Sequence, residues 1–225
     1  AAGADIVKTQ GYQIEHLSRA DPQYDRFRQA ALSDEDHRML ASYAEAQGVQ
    51  YLSTAYTGSD IVRLLRLGQR MIKIGSGEGL ALLPEALLLD CGRIYLSLAW
   101  GRGSTWGLDD PRVQIMATVP LYPAPIETYA RVRHLSRQRH LSAQGYSDHH
   151  VGLDVAKVAI AQGATVLEKH FQIDGRGRNQ PWNMNATDVA ELRRWATVCA
   201  IAIDGTAFSG RWRDVPVREA THDRD

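Results

Sequence analysis

The sequence predicts an α/β fold built from repeated strand–helix units, and three observations carry that reading. Short apolar runs rich in Ile, Val, Leu and Tyr alternate with amphipathic stretches almost to the end of the 225 residues. The units recur every 20–30 residues or so, roughly the spacing of parallel strands joined by crossover helices. Polar residues gather where the apolar runs end: Lys8, Gln10, Thr54, Lys73, Ser76, Ser147, His149 and His170. Two architectures share this rhythm, a (β/α)8 TIM barrel and a doubly wound sheet. No Gly-rich dinucleotide fingerprint follows any run, which weakens the second. Barrels place their sites at strand C-termini, which favours the first.

Strands are expected over residues 5–9, 50–54, 71–75, 93–98, 113–119, 143–147 and 165–170. Most are bounded by Gly or polar residues, as buried parallel strands are, and 143–147 is the least apolar. Seven strands leave a barrel with two open edges, so something is expected to fill the gap. Ser33 caps a helix on which Leu40, Tyr43 and Ala44 share a face, and Gly48 stops it. Ser59 opens the next, with Ile61, Leu64 and Leu65 inward. Pro84 belongs in a first helical turn, ahead of Ala86-Leu87-Leu88-Leu89. Ile126, Tyr129, Val132 and Leu135 form a stripe at helical spacing, and Val155, Val158 and Ala159 form another, closed by Gly163. Thr187 caps the last helix, whose stripe is Val189, Leu192, Trp195, Ala196 and Cys199. One barrel domain is expected over 1–210, followed by a frayed polar tail over 211–225.

Composition narrows the function. An apolar share of 44% suffices for one sizeable core. The 26 basic residues balance 26 acidic ones, so bulk charge holds neither nucleic acid nor an anionic membrane. No apolar run approaches the ~20 residues of a membrane span. Cys91 and Cys199 match no metal or redox spacing and read as buried thiols of a reducing compartment, so a cytoplasmic protein is expected. The opening Ala1-Ala2-Gly3-Ala4 has neither Met nor a signal pattern, as in a chain that was cut or that starts further upstream. The basic stretch from Arg131 to His140 reads as a solvated helix face. Trp100, Trp106 and Trp182 fall in loops after strands, where they line a pocket or cap the rim.

The strongest constellation is Gly145-Tyr146-Ser147-Asp148-His149-His150 with Glu168-Lys169-His170-Phe171. Side chains alternate along a strand, so His149 and His150 cannot both face inward. Ser147 and His149 share one parity; Glu168 and His170 share one on the next strand. Neighbouring strands lie ~4.8 Å apart, close enough for two imidazoles to hold one divalent ion and leave positions open for substrate. The plain alternative is a pair of hydrogen-bonded rim histidines. Lys8 and Lys73 each follow a branched apolar residue within a strand, where a lysine is costly to bury without an anion. Each is either paired to a carboxylate, with Glu78 or Glu168 as partner, or part of a cradle for a phosphorylated carboxylic acid alongside Thr54, Ser76 and Ser147. Gly75-Ser76-Gly77 permits close backbone approach to a phosphate.

These residues resemble the catalytic barrel of the sialic acid synthase family, which condenses phosphoenolpyruvate (PEP) with an amino sugar. The match runs through Gly3-Ala4-Asp5-Ile6-Val7-Lys8-Thr9-Gln10, Tyr51-Leu52-Ser53-Thr54, Lys73-Ile74-Gly75-Ser76-Gly77-Glu78 and Tyr122-Pro123, then both constellations above. The resemblance implies a (β/α)8 TIM barrel whose first strand, with its acidic residue, is missing from this chain. It implies Mn²⁺ or another divalent metal on His149 and His170. Lys8, Thr54 and Lys73 would hold the PEP carboxylate side, and Ser76 and Ser147 its phosphate. Gln10, Tyr56 and Tyr122 would face the acceptor. Lys8, Lys73, Glu78 and Tyr122 are the residues expected to carry catalysis. Several positions depart from the family. Ala117-Thr118 and Pro120 replace a His-Cys and a phosphate-contacting Asn; Ser97-Leu98-Ala99-Trp100 replaces Ser-Thr-Gly-Met; Asn179-Gln180 replaces Asp-His, turning an acceptor-contacting carboxylate into the amide of Asn179. The resemblance also leads us to expect a chain without the family's antifreeze-like domain.

Metal and PEP positions mostly persist while acceptor positions change. The implied function is a PEP-dependent condensing enzyme, a C–C bond-forming transferase that uses a sugar-like aldehyde and releases phosphate. One alternative is a non-catalytic homologue or partner subunit that keeps the barrel. Another is a barrel aldolase or metal-dependent isomerase acting on a phosphorylated sugar. Open barrel edges also suggest a homo-oligomer.

Overall fold

A computed structural model describes residues 2–99, 108–132, 145–173 and 180–204. Seven strands form one sheet: β1 (Ile6–Gln10), β2 (Gln50–Ala55), β3 (Met71–Ile74), β4 (Arg93–Ala99), β5 (Val113–Thr118), β6 (Gly145–Asp148) and β7 (Val166–Lys169). All six pairings are parallel and the spatial order equals the chain order. A doubly wound sheet reverses its order part-way, so that alternative is ruled out. The sheet curls until its edges approach: Lys8 Nζ on β1 lies 3.3 Å from Glu168 Oε1 on β7.

Alternation sorts the side chains into two faces. Inward, Leu52, Tyr95 and Met116 pack with Ile6, Met71 and Val166 into an apolar floor. Gly145 belongs to this layer, and a Cβ there would meet Met116 Cγ and the Val166 carbonyl at 2.8 Å. Outward, Ile72, Ile74, Ile94 and Leu96 meet the crossover helices through Ile61, Leu64, Leu83 and Ala86. Each such fully buried Leu or Ile contributes roughly 1.5–3 kcal/mol. Above the floor the inward positions turn polar, and there the site lies.

The helices are α1 (Tyr24–Ala30), α2 (Asp34–Ala46), α3 (Gly58–Arg66), α4 (Gly79–Leu88), α5 (Tyr129–Val132), α6 (Asp154–Ala161) and α7 (Ala186–Asp204). Ser33 caps α2 in a reciprocal box with Asp36, as the sequence predicts. Buried His37, rather than Tyr43, faces the sheet beside Ala44; Tyr43 is 66% exposed. The cap of α3 is Thr57, two residues before the expected Ser59, because Asp60 completes a capping box with it. Asn185 replaces Thr187 as the α7 cap: its Oδ1 accepts from the Thr187 and Asp188 amides. Pro84 falls in the interior of α4, since that helix starts at Gly79 instead of near the proline. In α6 the buried face is Val155, Ala156, Ala159 and Ile160, with Val158 outward. Ile126 is likewise exposed. It sits in a single 3₁₀ turn, and Leu135 lies outside the described residues. Cys91 and Cys199 are buried free thiols. Among the described residues no helix is long and apolar enough to cross a membrane.

Candidate active site

Five side chains from five strands, β1 to β4 and β7, meet across the gap between the sheet edges. Lys8 Nζ donates to Thr54 Oγ1 at 3.0 Å and lies 3.3 Å from Glu168 Oε1. Lys73, only 4% exposed, donates to Ser97 Oγ at 2.8 Å and to the Ile74 carbonyl at 2.9 Å. Its Nζ also lies 3.6 Å from Glu168 Oε2. Register explains the convergence: Thr54 pairs with Lys73, and Ser147 with Glu168, so all point into the same bowl. One carboxylate serves two ammonium groups. The three together retain one positive charge.

The electrostatics follow from that sharing. Burial alone would raise the Glu168 pKa, yet the Lys73 and Lys8 ammonium groups hold it down at about 2. Burial pushes the Lys73 pKa below its ordinary value, partly offset by Glu168. Of the two partners the sequence left open for the lysines, Glu168 is the one within ion-pair distance. Ser97 was not singled out as a site residue, although its parity with Tyr95, one strand from Lys73, would have found it.

The two histidines come together as expected, with ring centroids 5.5 Å apart. His149 is buried, and its Nδ1 donates to the Val119 carbonyl at 2.8 Å. That bond fixes the proton on Nδ1 and leaves the Nε2 lone pair available. Burial keeps the His149 pKa below its ordinary value. His170 opens to the mouth on one side. Enclosure by protein on the others, then the nearby His149 and Lys8, pushes its pKa down to about 4. Both rings are therefore neutral near pH 7, the form that ligates metal. Two imidazoles suit a borderline divalent ion and leave coordination positions open, so the donor set fits such an ion. Among the described residues no third His, Cys, Asp or Glu joins them. His150 faces away and pairs with Asp148, as alternation requires.

Aromatic rings wall the mouth. Tyr122 lies over His149 at 4.2 Å between centroids, 5.6 Å from His170 and 5.9 Å from Trp182. Trp182 thus lines the pocket rather than capping the rim away from it. Across the bowl the Tyr56 hydroxyl donates to Gln10 Oε1 at 2.5 Å. Burial raises the pKa of both tyrosines, with Glu78 and Glu168 adding to the shift. Glu78 curls back over Gly75, where a Cβ would sit 2.7 Å from its Oε2, so the glycine makes room for the carboxylate. Ser76 is half-buried in the loop after β3, and Ser147 is buried on β6 opposite Thr118. Thr118 Oγ1 donates to the Ser147 carbonyl at 3.0 Å. Asn179, Trp100 and Trp106 lie outside the described residues.

Comparison with known proteins adds sequence and shape. The family model of the NeuB family matches residues 1–86 and 108–206. N,N'-diacetyllegionaminic acid synthase of Legionella pneumophila is 30% identical, over 85% of this chain and 62% of its own. The protein of the same description from Campylobacter jejuni is 25% identical, over 87% of this chain and 66% of its own. The chain therefore covers less than two thirds of either relative. Among solved structures, N-acetylneuraminic acid synthetase from Leptospira borgpetersenii superposes with a TM-score of 0.77 at 20% identity, over 92% of this chain and 77% of that one. A spore coat polysaccharide biosynthesis protein from Bacillus subtilis gives 0.71 at 24% identity, over 92% and 63%. At such identities the superpositions establish the fold, a curled α/β sheet of barrel type.

Proposed function

The chain belongs to the NeuB family, and from that premise we propose that it is a PEP-dependent condensing enzyme acting on the aldehyde of a sugar-like acceptor. The observation that carries the reading is the meeting of a neutral His149–His170 pair with the Lys8–Glu168–Lys73 cluster in one strand-end bowl. The cluster's net positive charge suits a small polyanion. Lys8, Thr54 and Lys73 hold the carboxylate side of PEP, while Ser76 and Ser147 take its phosphate. His149 and His170 hold Mn²⁺ or another divalent metal, which when bound polarises the acceptor aldehyde. Gln10, Tyr56 and Tyr122 line the acceptor side with the Trp182 ring, and Asn179 belongs to that side too. Carbon 3 of PEP forms the new bond to the aldehyde carbon, which takes up a proton on its oxygen. Water then adds at carbon 2, and the bond to phosphate breaks. Glu168 is held ionised by two lysines, so Glu78 is the carboxylate assigned to receive the proton from that water.

Two observations favour a second reading, a homologue that keeps the barrel without turning over. Glu168 already engages both ammonium groups, and Pro120 offers no side-chain donor. A single assay separates the two: phosphate release from PEP by the full-length protein with Mn²⁺ and a panel of aldoses. The enzyme reading expects release that requires both the aldose and the metal and stops with a chelator. Retained PEP binding with no release across the panel sinks it in favour of the homologue.

A further inference from the structure

Behind the two histidines, on the opposite face of the same strands, lies a second polar cluster that the chemistry above does not use. Asp148 is 0% exposed and His150 2%, and the Lys169 side chain is buried with them. Lys169 Nζ donates to Asp148 Oδ2 at 2.8 Å and to the His150 carbonyl at 2.7 Å. His150 Nδ1 donates to Asp148 Oδ1 at 2.8 Å, the His150 amide donates to the same oxygen at 2.9 Å, and His150 Nε2 faces the Pro125 carbonyl at 3.2 Å. Tyr146 and Tyr129 pack edge-on beside it, 4.9 Å between centroids, and shield it from water.

The placement of this cluster is informative. The β6–β7 ladder ends at the pair Asp148–Lys169, and His149 and His170 each lie one residue beyond it. The ladder therefore does not hold the two imidazoles at their separation. Asp148 immediately precedes His149, His150 immediately follows it, and Lys169 immediately precedes His170. Each bond within the cluster ties down a backbone or side-chain atom next to one of the two rings. A buried ion pair is a weak source of net stability, because desolvation offsets the Coulomb gain. Directional bonds between two strand ends, by contrast, fix position.

We propose that Asp148, His150 and Lys169 are positioning residues: a buried polar pin that sets the distance at which His149 and His170 share one divalent ion. The inference rests on the metal role given to that pair above. Outer partners of metal-ligating histidines typically govern metal affinity by about 10–100-fold.

Mn²⁺ binding to the full chain, followed by the electron paramagnetic resonance of the free ion, tests it. Asp148→Asn and Lys169→Met each weaken binding about 10–100-fold and change the bound-ion spectrum. The double variant Asp148→Leu/Lys169→Met replaces the pin with apolar bulk. It keeps its circular dichroism and cooperative melt yet binds the ion as weakly as the single variants. His150→Gln, the mildest change, falls between. If the unaltered protein binds no Mn²⁺, the metal reading itself is wrong and the pin goes with it. If the unaltered protein binds and the folded double variant binds equally well, the metal reading stands and the pin is overturned. Should every variant fail to fold even with Mn²⁺ present, the cluster holds the fold rather than the site, which overturns the proposal too.

Discussion

At the scale of the residue, Glu168 decides what the bowl can bind. Its carboxylate is the shared counter-charge of Lys8 and Lys73, and Lys73 has almost no water around it. Replacing Glu168 by Gln leaves a buried ammonium without its partner, which typically costs about 3–5 kcal/mol. The urea midpoint of Glu168→Gln should fall accordingly. Adding Lys73→Met removes the orphaned charge as well, so the double variant should regain most of that loss. If the proposed function holds, it should nevertheless lose PEP binding, measurable by calorimetry, because one of the two cations of the cradle is gone. A double variant as unstable as the single one would mean that Glu168 acts through something other than charge. Lys8, Lys73, His149 and His170 were legible from alternation, since each is a lysine or an imidazole on the inward parity, within a strand or one residue past its end. Their joint partner was not decided, because Glu78 and Glu168 fit equally well until the sheet was seen to curl and bring β7 against β1.

Single elements show where local signals compete. Pro84 was expected in a first turn because proline suits that position, but Gly79 and Leu80 precede it inside α4. There the ring removes the bond to the Leu80 carbonyl and crowds it. Pro84→Ala should therefore raise stability, by ~1–3 kcal/mol, read from denaturant unfolding; a destabilised variant would show that the ring's packing outweighs the lost bond. Helix α2 carries a different compromise. His37 is buried against β2, its Nδ1 2.9 Å from the Tyr51 hydroxyl and its Nε2 without a partner among the described residues. Burial, then Arg63 on α3, pushes its pKa below the ordinary histidine value, while Asp34 and Asp36 on its own helix pull the other way. Folded protein thus binds fewer protons there than unfolded protein does. Its stability is full above about pH 6.5 and falls as pH drops below that, by at most about 1.4 kcal/mol per unit. Urea midpoints at about pH 7.5 and about pH 5 should differ for the parent and differ less for His37→Gln, the remaining difference coming from His149 and His170, whose pKa values are lowered too. The sequence pointed to Tyr43 on this face because apolar periodicity counts aromatics and passes over histidine.

The whole molecule is governed by how its curled sheet meets itself. Parallel sense followed from the rhythm of the chain, and the strand-end location of the site from the polar residues that end the apolar runs, while the rhythm alone left two strand orders open. Closure did not follow, because it depends on contacts between residues more than a hundred positions apart. Among the described residues two such ion pairs span the gap: Lys8 with Glu168 inside, and Arg193 of α7 with Asp5 at 2.7 Å on the outside. Both are partly exposed ion pairs, each worth no more than about 1 kcal/mol. The apolar core, by contrast, centres on β3 to β5, where outward Ile72 is 0% exposed while outward Val7 on β1 is 45% exposed. Opening the seam therefore costs far less than opening the centre, and local unfolding should begin there. Native-state hydrogen exchange should rank the amides of β3, β4 and β5 as the slowest and those of β1 and β7 as the fastest among the strands. Arg193→Ala removes the outer contact, so it should speed exchange in β1 and α7 several-fold and leave β4 unchanged. If β1 proves as protected as β4, another strand covers its free edge in solution, and the barrel is complete around the bowl.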